Sequence, residues 1–334
     1  MRVLKLRSCF TLLVALATSL AVQAADETWQ PPRTPNGAPD LQGVWANNSA
    51  TPLERPDALE GRDQLTDEEV AEFKRRNAEI FNGEGDAAFA DDVYKSVLAN
   101  DEEHESYDPT TGNYNHFWVV DRDFDNRTSL IVDPPDGKKP PLTPEAAKRA
   151  EALAAYREAH PADSYTDRLN SDRCITYGVP FVMAGYNGYF QIVQNATHVV
   201  ITQEMIHESR IIPVDDRPAL DSAIRQWIGD PRGHWEGDTL VVETRNFSPN
   251  SSFFESGENL HLTERFTRIA PDTLEWAVTV DDPTTWTKPW TAVVLLTQSE
   301  DDIFEYACHE GNYAMEGMLA GHRQEEQAAG GGNE

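Results

Sequence analysis

Basic residues are scarce in this chain, and several familiar sequence motifs are missing. It holds 28 lysines and arginines against 57 aspartates and glutamates, a formal net charge of −29. So acidic a surface argues against DNA, RNA or an anionic membrane as a partner. G-x-S-x-G, Walker and dinucleotide-binding glycine motifs are absent. That removes the common serine hydrolase, nucleotide and dinucleotide functions, as far as motifs can.

Long apolar runs are also missing after the first two dozen residues, so no later segment is predicted to insert into a membrane. The start of the chain is basic, with Arg2, Lys5 and Arg7, and an apolar run then leads to the small residues of Val22-Gln23-Ala24. This pattern predicts a secretory signal peptide at 1–24, without a lipid anchor. We therefore expect a periplasmic or secreted protein.

Cysteine is rare, and only Cys174 and Cys308 would remain after removal of the signal peptide. In an oxidising compartment the pair predicts a disulfide between the middle of the chain and its last predicted strand. The alternative is a nucleophilic thiol at Cys308 with His309 as its base. Adjacent residues of a strand point to opposite faces, so His309 is badly placed for that role and the disulfide is favoured.

What the sequence does contain is alternation with a period of two, most clearly at residues 273–281. This is typical of a strand with one apolar face. Pro271-Asp272 suits the centre of a tight turn, so residues 260–269 should form the partner strand of a hairpin. With a two-residue loop, Arg265 lies on the apolar face, where a buried guanidinium needs an anionic partner. A slip of one residue turns Arg265 to solvent and Glu264 inward.

The rest of the chain predicts two helices and a series of short strands. Helices are expected at 67–81 and 144–159, each with a threonine cap. Further strands are expected at Phe117–Val120, Ser129–Asp133, Tyr189–Gln194, Val199–Glu204, Ser209–Val214, Thr239–Phe247, Thr291–Gln298 and Ile303–Cys308.

Strands at this spacing favour a mostly β fold, an antiparallel barrel or sandwich. We predict a barrel-like domain at 188–321. A segment at 25–187, with a first strand, two helices and irregular chain, would pack on it, and 322–334 would be a disordered tail.

Two resemblances accompany this interpretation. Gly43-Val44-Trp45 at the first strand resembles the motif of lipocalins and other calycin barrels, in which the tryptophan closes the barrel floor. The longer phrases resemble a family of secreted bacterial proteins over about Arg33 to Gly321, which implies export but no particular reaction. Those phrases are DLQGVW, RTSLIVDPP, MIHESRIIP, RQWIGDPRGHWEGDTLVVETRNF, DDPTTWTKPW and FEYACHEGNY.

Catalytic candidates lie at the ends of the predicted strands. His309 and Glu310 follow the last strand and could form an acid–base pair at the barrel mouth, or merely cap a turn. His207 lies in a hairpin turn, where it could exchange protons with a substrate or be an ordinary exposed polar residue. Arg265 could hold an anionic group or an oxyanion, and Tyr306 could donate a hydrogen bond.

Ligand-binding candidates come from the large aromatic side chains. Trp276, Trp286 and Trp290, with Glu264, could line a ligand cavity inside the barrel, although such aromatic residues also simply fill a core. No cofactor is predicted. A divalent metal held by ligands from separate strands is a minority alternative, because the nine histidines form neither H-E-x-x-H nor H-x-H.

These observations lead to two functional hypotheses from different classes. The first is a periplasmic or secreted enzyme that acts on a small organic molecule by hydrolysis, elimination or isomerisation, through His/Glu acid–base chemistry and without a nucleotide cofactor. The alternative is a non-catalytic, lipocalin-like carrier of a small molecule. A structural role in the envelope ranks third, and the oligomeric state does not follow from the sequence.

Overall fold

The computed structural model describes residues 29–82, 88, 91–101, 120–182, 186–251 and 253–330. Within these ranges the protein is mostly β, with ten antiparallel strands in one curved sheet and four helices. The prediction of an antiparallel, barrel-like fold with helices in the N-terminal region is confirmed at this level. No helix in the described ranges is long and apolar enough to cross a membrane. The predicted signal peptide lies outside them.

The strands are β1 (Gly43–Ala46), β2 (Ile131–Asp133), β3 (Tyr189–Gln194), β4 (His198–Gln203), β5 (Ser209–Pro213), β6 (Asp230–Glu236), β7 (Thr239–Arg245), β8 (His261–Ala270), β9 (Thr273–Asp281) and β10 (Trp290–Ser299). The helices are α1 (Asp67–Ile80), α2 (Asp91–Ala99), α3 (Pro144–Ala159) and α4 (Tyr313–Gly330). The sheet order is β5-β4-β3-β1-β10-β9-β8-β7-β6, and β2 pairs with β10. Because β1 lies between β3 and β10, the N-terminal segment is part of the sheet.

The sheet curls until its two edge strands meet, although no ladder of hydrogen bonds joins them in the described chain. Gly233 of β6 lies against β5 and the residue after it. A Cβ atom at Gly233 would come within 2.9 Å of Val214 and 3.0 Å of Ile212. The absence of a side chain at this position therefore lets the edges approach each other.

The interior of the curled sheet is filled by side chains. Trp45, Trp276 and Trp290 are among the largest fully buried residues. Phe266 stacks on Trp276 at 5.6 Å between ring centroids, and Phe190 meets the same indole edge-on at 5.5 Å. Such dense aromatic packing stabilises the fold and occupies the space in which a lipocalin-like ligand would lie.

The β8–β9 hairpin takes the register that places Glu264 inside. Glu264 pairs with Val278, because an irregularity at Ile269 inserts one extra residue next to the turn. The expectation that Arg265 faces the interior is therefore wrong. Its side chain is 42% exposed and forms an ion pair of 2.9 Å with Glu236.

Both predicted helices are confirmed. Thr66 caps α1 in a capping box, and Thr143 caps α3 ahead of a proline. The sequence did not predict α2 or β6. The predicted strand at Phe117–Val120 falls almost wholly outside the described residues.

Two predictions near the C-terminus are wrong. Residues 303–308 form no strand. They are irregular chain that contacts the β4–β5 connection through Phe304 and Tyr306, at the end of the sheet that we call its mouth. The expected tail at 322–334 is helical as far as Gly330, within α4. The residues after Gly330 lie outside the described ranges.

Candidate functional site

The connection between β4 and β5 has an unusual backbone. Ile206 has φ of 59° and His207 has φ of 42°, both in the left-handed region. Few residues other than glycine adopt this region, and for a β-branched residue such as isoleucine it is a genuine outlier. The side chain of Ile206 is buried, so packing holds the strained turn in place.

A buried carboxylate fixes the start of this turn. Glu204 is 4% exposed. One carboxylate oxygen accepts a hydrogen bond from the Asn187 amide, and the other accepts one from the backbone N–H of Phe304 at 3.3 Å. The turn is thereby connected to residues 303–309, the segment in which the sequence placed several catalytic candidates.

His207 is exposed, and one of its two ring nitrogens is occupied. Nδ1 lies 2.7 Å from the backbone oxygen of Tyr306. Because a carbonyl oxygen only accepts, Nδ1 must carry the proton. In the neutral ring, Nε2 therefore keeps its lone pair, and the ring orientation is fixed from behind. This arrangement suits an imidazole that accepts a proton through Nε2.

Glu208 connects the turn to the neighbouring segment. Its Oε2 accepts a hydrogen bond from the Thr176 hydroxyl at 2.7 Å. Burial raises the pKa of the Glu208 carboxyl, while the Thr176 hydrogen bond and the nearby Arg210 charge act in the opposite direction. Glu208 thus holds Thr176 in place and is more readily protonated than an exposed glutamate.

The predicted disulfide between Cys174 and Cys308 is confirmed, with 5.7 Å between the Cα atoms. Next to it, the Asn312 side chain donates a hydrogen bond of 2.9 Å to the backbone oxygen of Asp172. The disulfide joins residues 170–178 to 303–309, and each of these segments also contacts the strained turn. The three segments therefore form one cross-linked unit at the mouth of the sheet.

Under this unit lies a buried ion pair. Arg210 and Glu264 are 5% and 0% exposed, and both guanidinium Nη atoms bond the carboxylate, one of them at 3.0 Å. The Trp276 indole N–H donates to the same carboxylate at 3.1 Å. The pair crosses the interior from β5 to β8 and fixes the start of β5, immediately after the turn.

A cleft of 820 Å³ is linked to the turn through one residue of its wall, Thr176. It lies between the C-terminal half of α3, residues 166–178, and loops at 227 and 249–251. Thr176, the residue bonded to Glu208, belongs to its wall. The volume is typical of small-molecule sites. Its walls carry aromatic and charged residues: Tyr156, Arg157, Arg168, Arg173, Tyr177 and Trp227 among others.

None of the catalytic or ligand-binding residues predicted from the sequence lines this cleft. His207 and Tyr306 come together in the hydrogen bond described above, and the disulfide brings His309 and Glu310 into the same region. Both of the latter are exposed in the turn before α4. Arg265 lies elsewhere, on the outer face of β8.

The predicted ligand-binding residues are interior packing instead. Trp276 and Trp290 are 1% exposed, and Trp286 is 4% exposed. Trp286 donates its indole N–H to the Ser256 hydroxyl at 2.9 Å. Glu264 is occupied by Arg210 and Trp276. These contacts account for Trp276, Trp286 and Glu264 within the protein itself. Trp290 packs edge-on against Trp286 at 6.1 Å between ring centroids, and its buried indole N–H has no hydrogen-bond partner among the described residues.

The cleft residues were missed because α3 was interpreted as a packing helix. Of its sixteen residues only Ala146 is buried. Tyr156 and Leu153 are about half exposed, at 50% and 48%. Three arginines between positions 157 and 173, in a chain so poor in basic residues, were the sequence signal that could have identified this surface.

One group of described residues could hold a cation. The ligand atoms of Asp163, His322 and Glu326 lie within 4.8 Å of one another, where α4 meets the loop after α3. One imidazole and two carboxylates suit a divalent ion. Asp163 also lies 2.6 Å from Nδ1 of His160. The group does not line the cleft.

Comparison with known proteins assigns no family to this geometry. The chain matches no protein-family model, and no curated protein matches it. The function therefore has to be inferred from the residues of the turn and the cleft.

Proposed function

We propose that this protein is an enzyme that acts on a small organic molecule, with His207 as the residue that accepts a proton. The reaction class is hydrolysis, elimination or isomerisation, without a nucleotide cofactor. The proposed location is the periplasm or outside the cell, as the predicted signal peptide implies. The observation that carries the proposal is the strained turn, which holds an imidazole with a fixed tautomer and is joined to a residue of the cleft wall by the Glu208–Thr176 hydrogen bond.

Backbone strain at a β-branched residue is destabilising, by about 1–3 kcal/mol, and persists only where the surroundings impose it. Three features surround the turn at 204–208. They are the buried carboxylate of Glu204, the Cys174–Cys308 disulfide and the buried Arg210–Glu264 ion pair. Rigid support of this kind is what a catalytic side chain requires for correct placement. A solvent-exposed turn with no function would not need it.

Three residues of the turn have distinct roles in this proposal. His207 accepts the proton through Nε2, and the Tyr306 carbonyl holds the ring. Glu208 accepts a hydrogen bond from Thr176 in the cleft wall, and this bond fixes the position of the turn relative to the cleft. Glu204 fixes the start of the turn.

The experiment is a comparison by mass spectrometry of a small-molecule extract before and after incubation with the purified mature protein. Wild type should deplete a compound far beyond its own concentration and form a product. His207→Ala should slow this by about 10²–10⁴-fold. His234→Ala, an exposed histidine on β6, is the matched control and should match wild type. Full turnover by His207→Ala would refute the assignment of His207. Loss of turnover in His309→Ala, with His207→Ala still active, would refute it too.

A second candidate is a non-catalytic small-molecule carrier that uses the cleft rather than the barrel interior. The observation in its favour is that the described residues lining the cleft include no histidine, cysteine or lysine. Depletion of a compound up to one equivalent, with intact recovery after denaturation, would support this candidate against the enzyme.

A further inference from the structure

The walls of the cleft have the opposite charge to the molecule as a whole. They carry Arg157, Arg168 and Arg173, whereas the chain has a formal net charge of −29. The acid in the lining is Asp167, and its carboxylate accepts the Tyr156 hydroxyl at 2.9 Å. A positive recess in a negative surface concentrates anions there and repels them elsewhere.

Two of these guanidinium groups have donors to spare. The side chains of Arg157 and Arg173 form no hydrogen bond or ion pair with any residue in the described ranges; Arg173 instead lies over the Tyr165 ring at 5.4 Å. Arg168 differs, because it pairs with Asp172 at 3.1 Å. A guanidinium is a planar fork that matches a carboxylate, sulfonate or phosphate, so both groups can serve an external anion.

Aromatic rings complete the cleft. Tyr177 is 49% exposed and Trp227 is 38% exposed, values well above those of the packed interior aromatics. Tyr177 meets Phe181 edge-on at 4.9 Å, which orients its ring. Exposed rings beside unpaired guanidinium groups offer stacking surface and charge in one recess.

We propose that the cleft binds small aromatic anions, with the acidic group on Arg157 and Arg173 and the ring against Tyr177 and Trp227. This names the substrate class for the same site and so rests on the proposed function. It also explains why an acidic exported protein keeps three arginines together: they select anionic compounds from a mixture.

The test uses matched naphthalene probes in calorimetric titrations of the full mature chain. The acids are 2-naphthoate, 2-naphthalenesulfonate and 2-naphthyl phosphate, and the neutral counterpart is 2-naphthamide. We expect at least one acid to bind tenfold or more tightly than the amide, and to weaken as salt rises from 50 to 500 mM. Arg157→Gln and Arg173→Gln should each weaken that acid by roughly tenfold or more, the effect of losing a charged hydrogen bond.

Arg245→Gln is the control, because it removes the same charge from an exposed site on β7. It should leave the affinity unchanged. The proposal is overturned if no acid binds more tightly than the amide, if both cleft variants keep full affinity, or if Arg245→Gln weakens binding equally. Tight arginine-dependent binding without turnover of any anionic compound would uphold the ligand class and refute the enzyme. If turnover is lost in His207→Ala but binding does not depend on the ligand's charge, the enzyme is upheld and the ligand class is refuted.

Discussion

At the scale of single residues, the buried Arg210–Glu264 pair is where the interior is most vulnerable. Each charge is desolvated, and among the described residues only Arg210 and the Trp276 indole N–H compensate the carboxylate. The attraction within such a pair roughly offsets the loss of hydration, so the pair stabilises little as a whole. Removal of one partner is different, because it leaves an isolated charge in a packed apolar interior.

We therefore expect Glu264→Gln to lower the free energy of unfolding by about 3–5 kcal/mol. The double variant Arg210→Met with Glu264→Gln should be more stable than Glu264→Gln alone, since it removes the orphaned guanidinium and leaves an acceptor for Trp276. Urea denaturation of the three proteins measures both differences. A loss below about 1 kcal/mol in the single variant would show that the pair is not buried as described.

The pKa of Glu208 gives a prediction with a definite sign. Burial raises it above the ordinary 4.5, so the folded state prefers the neutral acid. The contribution of the Glu208 carboxyl to the free energy of unfolding is complete below pH 4.5. It is lost as the pH rises through the raised pKa, because the buried group then has to ionise. Glu208→Gln should therefore gain thermal stability relative to wild type between pH 4 and pH 7. Glu300→Gln, at an exposed position, is the control; an identical pH trend in both variants would contradict this cause.

Residue-scale errors in the sequence interpretation have a local origin. Alternation correctly indicated that Arg265 or Glu264 shares a face with large apolar side chains. Which one does so depends on a single extra residue at Ile269, and no feature of the composition marks that bulge. The cluster of three arginines marks a basic surface in the sequence, but not that they wall one cleft, because they converge from α3 and a loop that have no common periodicity.

At the scale of elements, the disulfide keeps the site assembled. It closes a separation of 134 residues and joins the two segments that flank the strained turn. We expect the double variant Cys174→Ala with Cys308→Ala to lose about 2–5 kcal/mol of stability. Reductant should destabilise wild type by a similar amount and leave the double variant unaffected in the same denaturation experiment. Equal sensitivity of both proteins to reductant would contradict this account.

The contact between the edge strands depends on one missing side chain. Gly233→Val should lower stability by about 1–3 kcal/mol, because the new atoms collide with Val214 and Ile212. Gly317→Ala in α4 is the matched control, since nothing lies within 4 Å of its Cβ position. Thermal unfolding should show a lower midpoint temperature for Gly233→Val and no decrease for Gly317→Ala. If Gly233→Val is as stable as wild type, the sheet does not curl as far as described.

Elements with strong local signals were predictable, and elements without them were not. α1 and α3 have threonine caps, and β9 alternates regularly, so their positions follow from the sequence. α2 lies in an acidic stretch without a visible cap, and β6 contains proline and glycine. Residues 303–308 have strand-like composition, yet the disulfide and the turn hold them at the mouth of the sheet rather than in a ladder.

At the scale of the whole molecule, the interior is occupied by packed side chains, and the candidate functional groups lie at the surface. The interior is filled by indoles, aliphatic residues and an ion pair, so we assign the proposed chemistry to the rim of the sheet. The rim provides an imidazole on a supported turn and a basic cleft in an otherwise acidic surface. The barrel-like sheet predicted from the sequence is confirmed, whereas a catalytic role for His207 stays a prediction. The sequence placed the ligand inside the barrel, and we propose the cleft instead.

We propose that ligands bind in the cleft walled by α3 and residues 166–178, and not within the curled sheet. Hydrogen–deuterium exchange, with and without the tightest-binding naphthyl acid, tests it most directly. We predict slower exchange in peptides covering 153–178 and 225–251, with β8 to β10 unchanged. Slower exchange confined to β8 to β10 would place the ligand in the barrel interior and contradict the account.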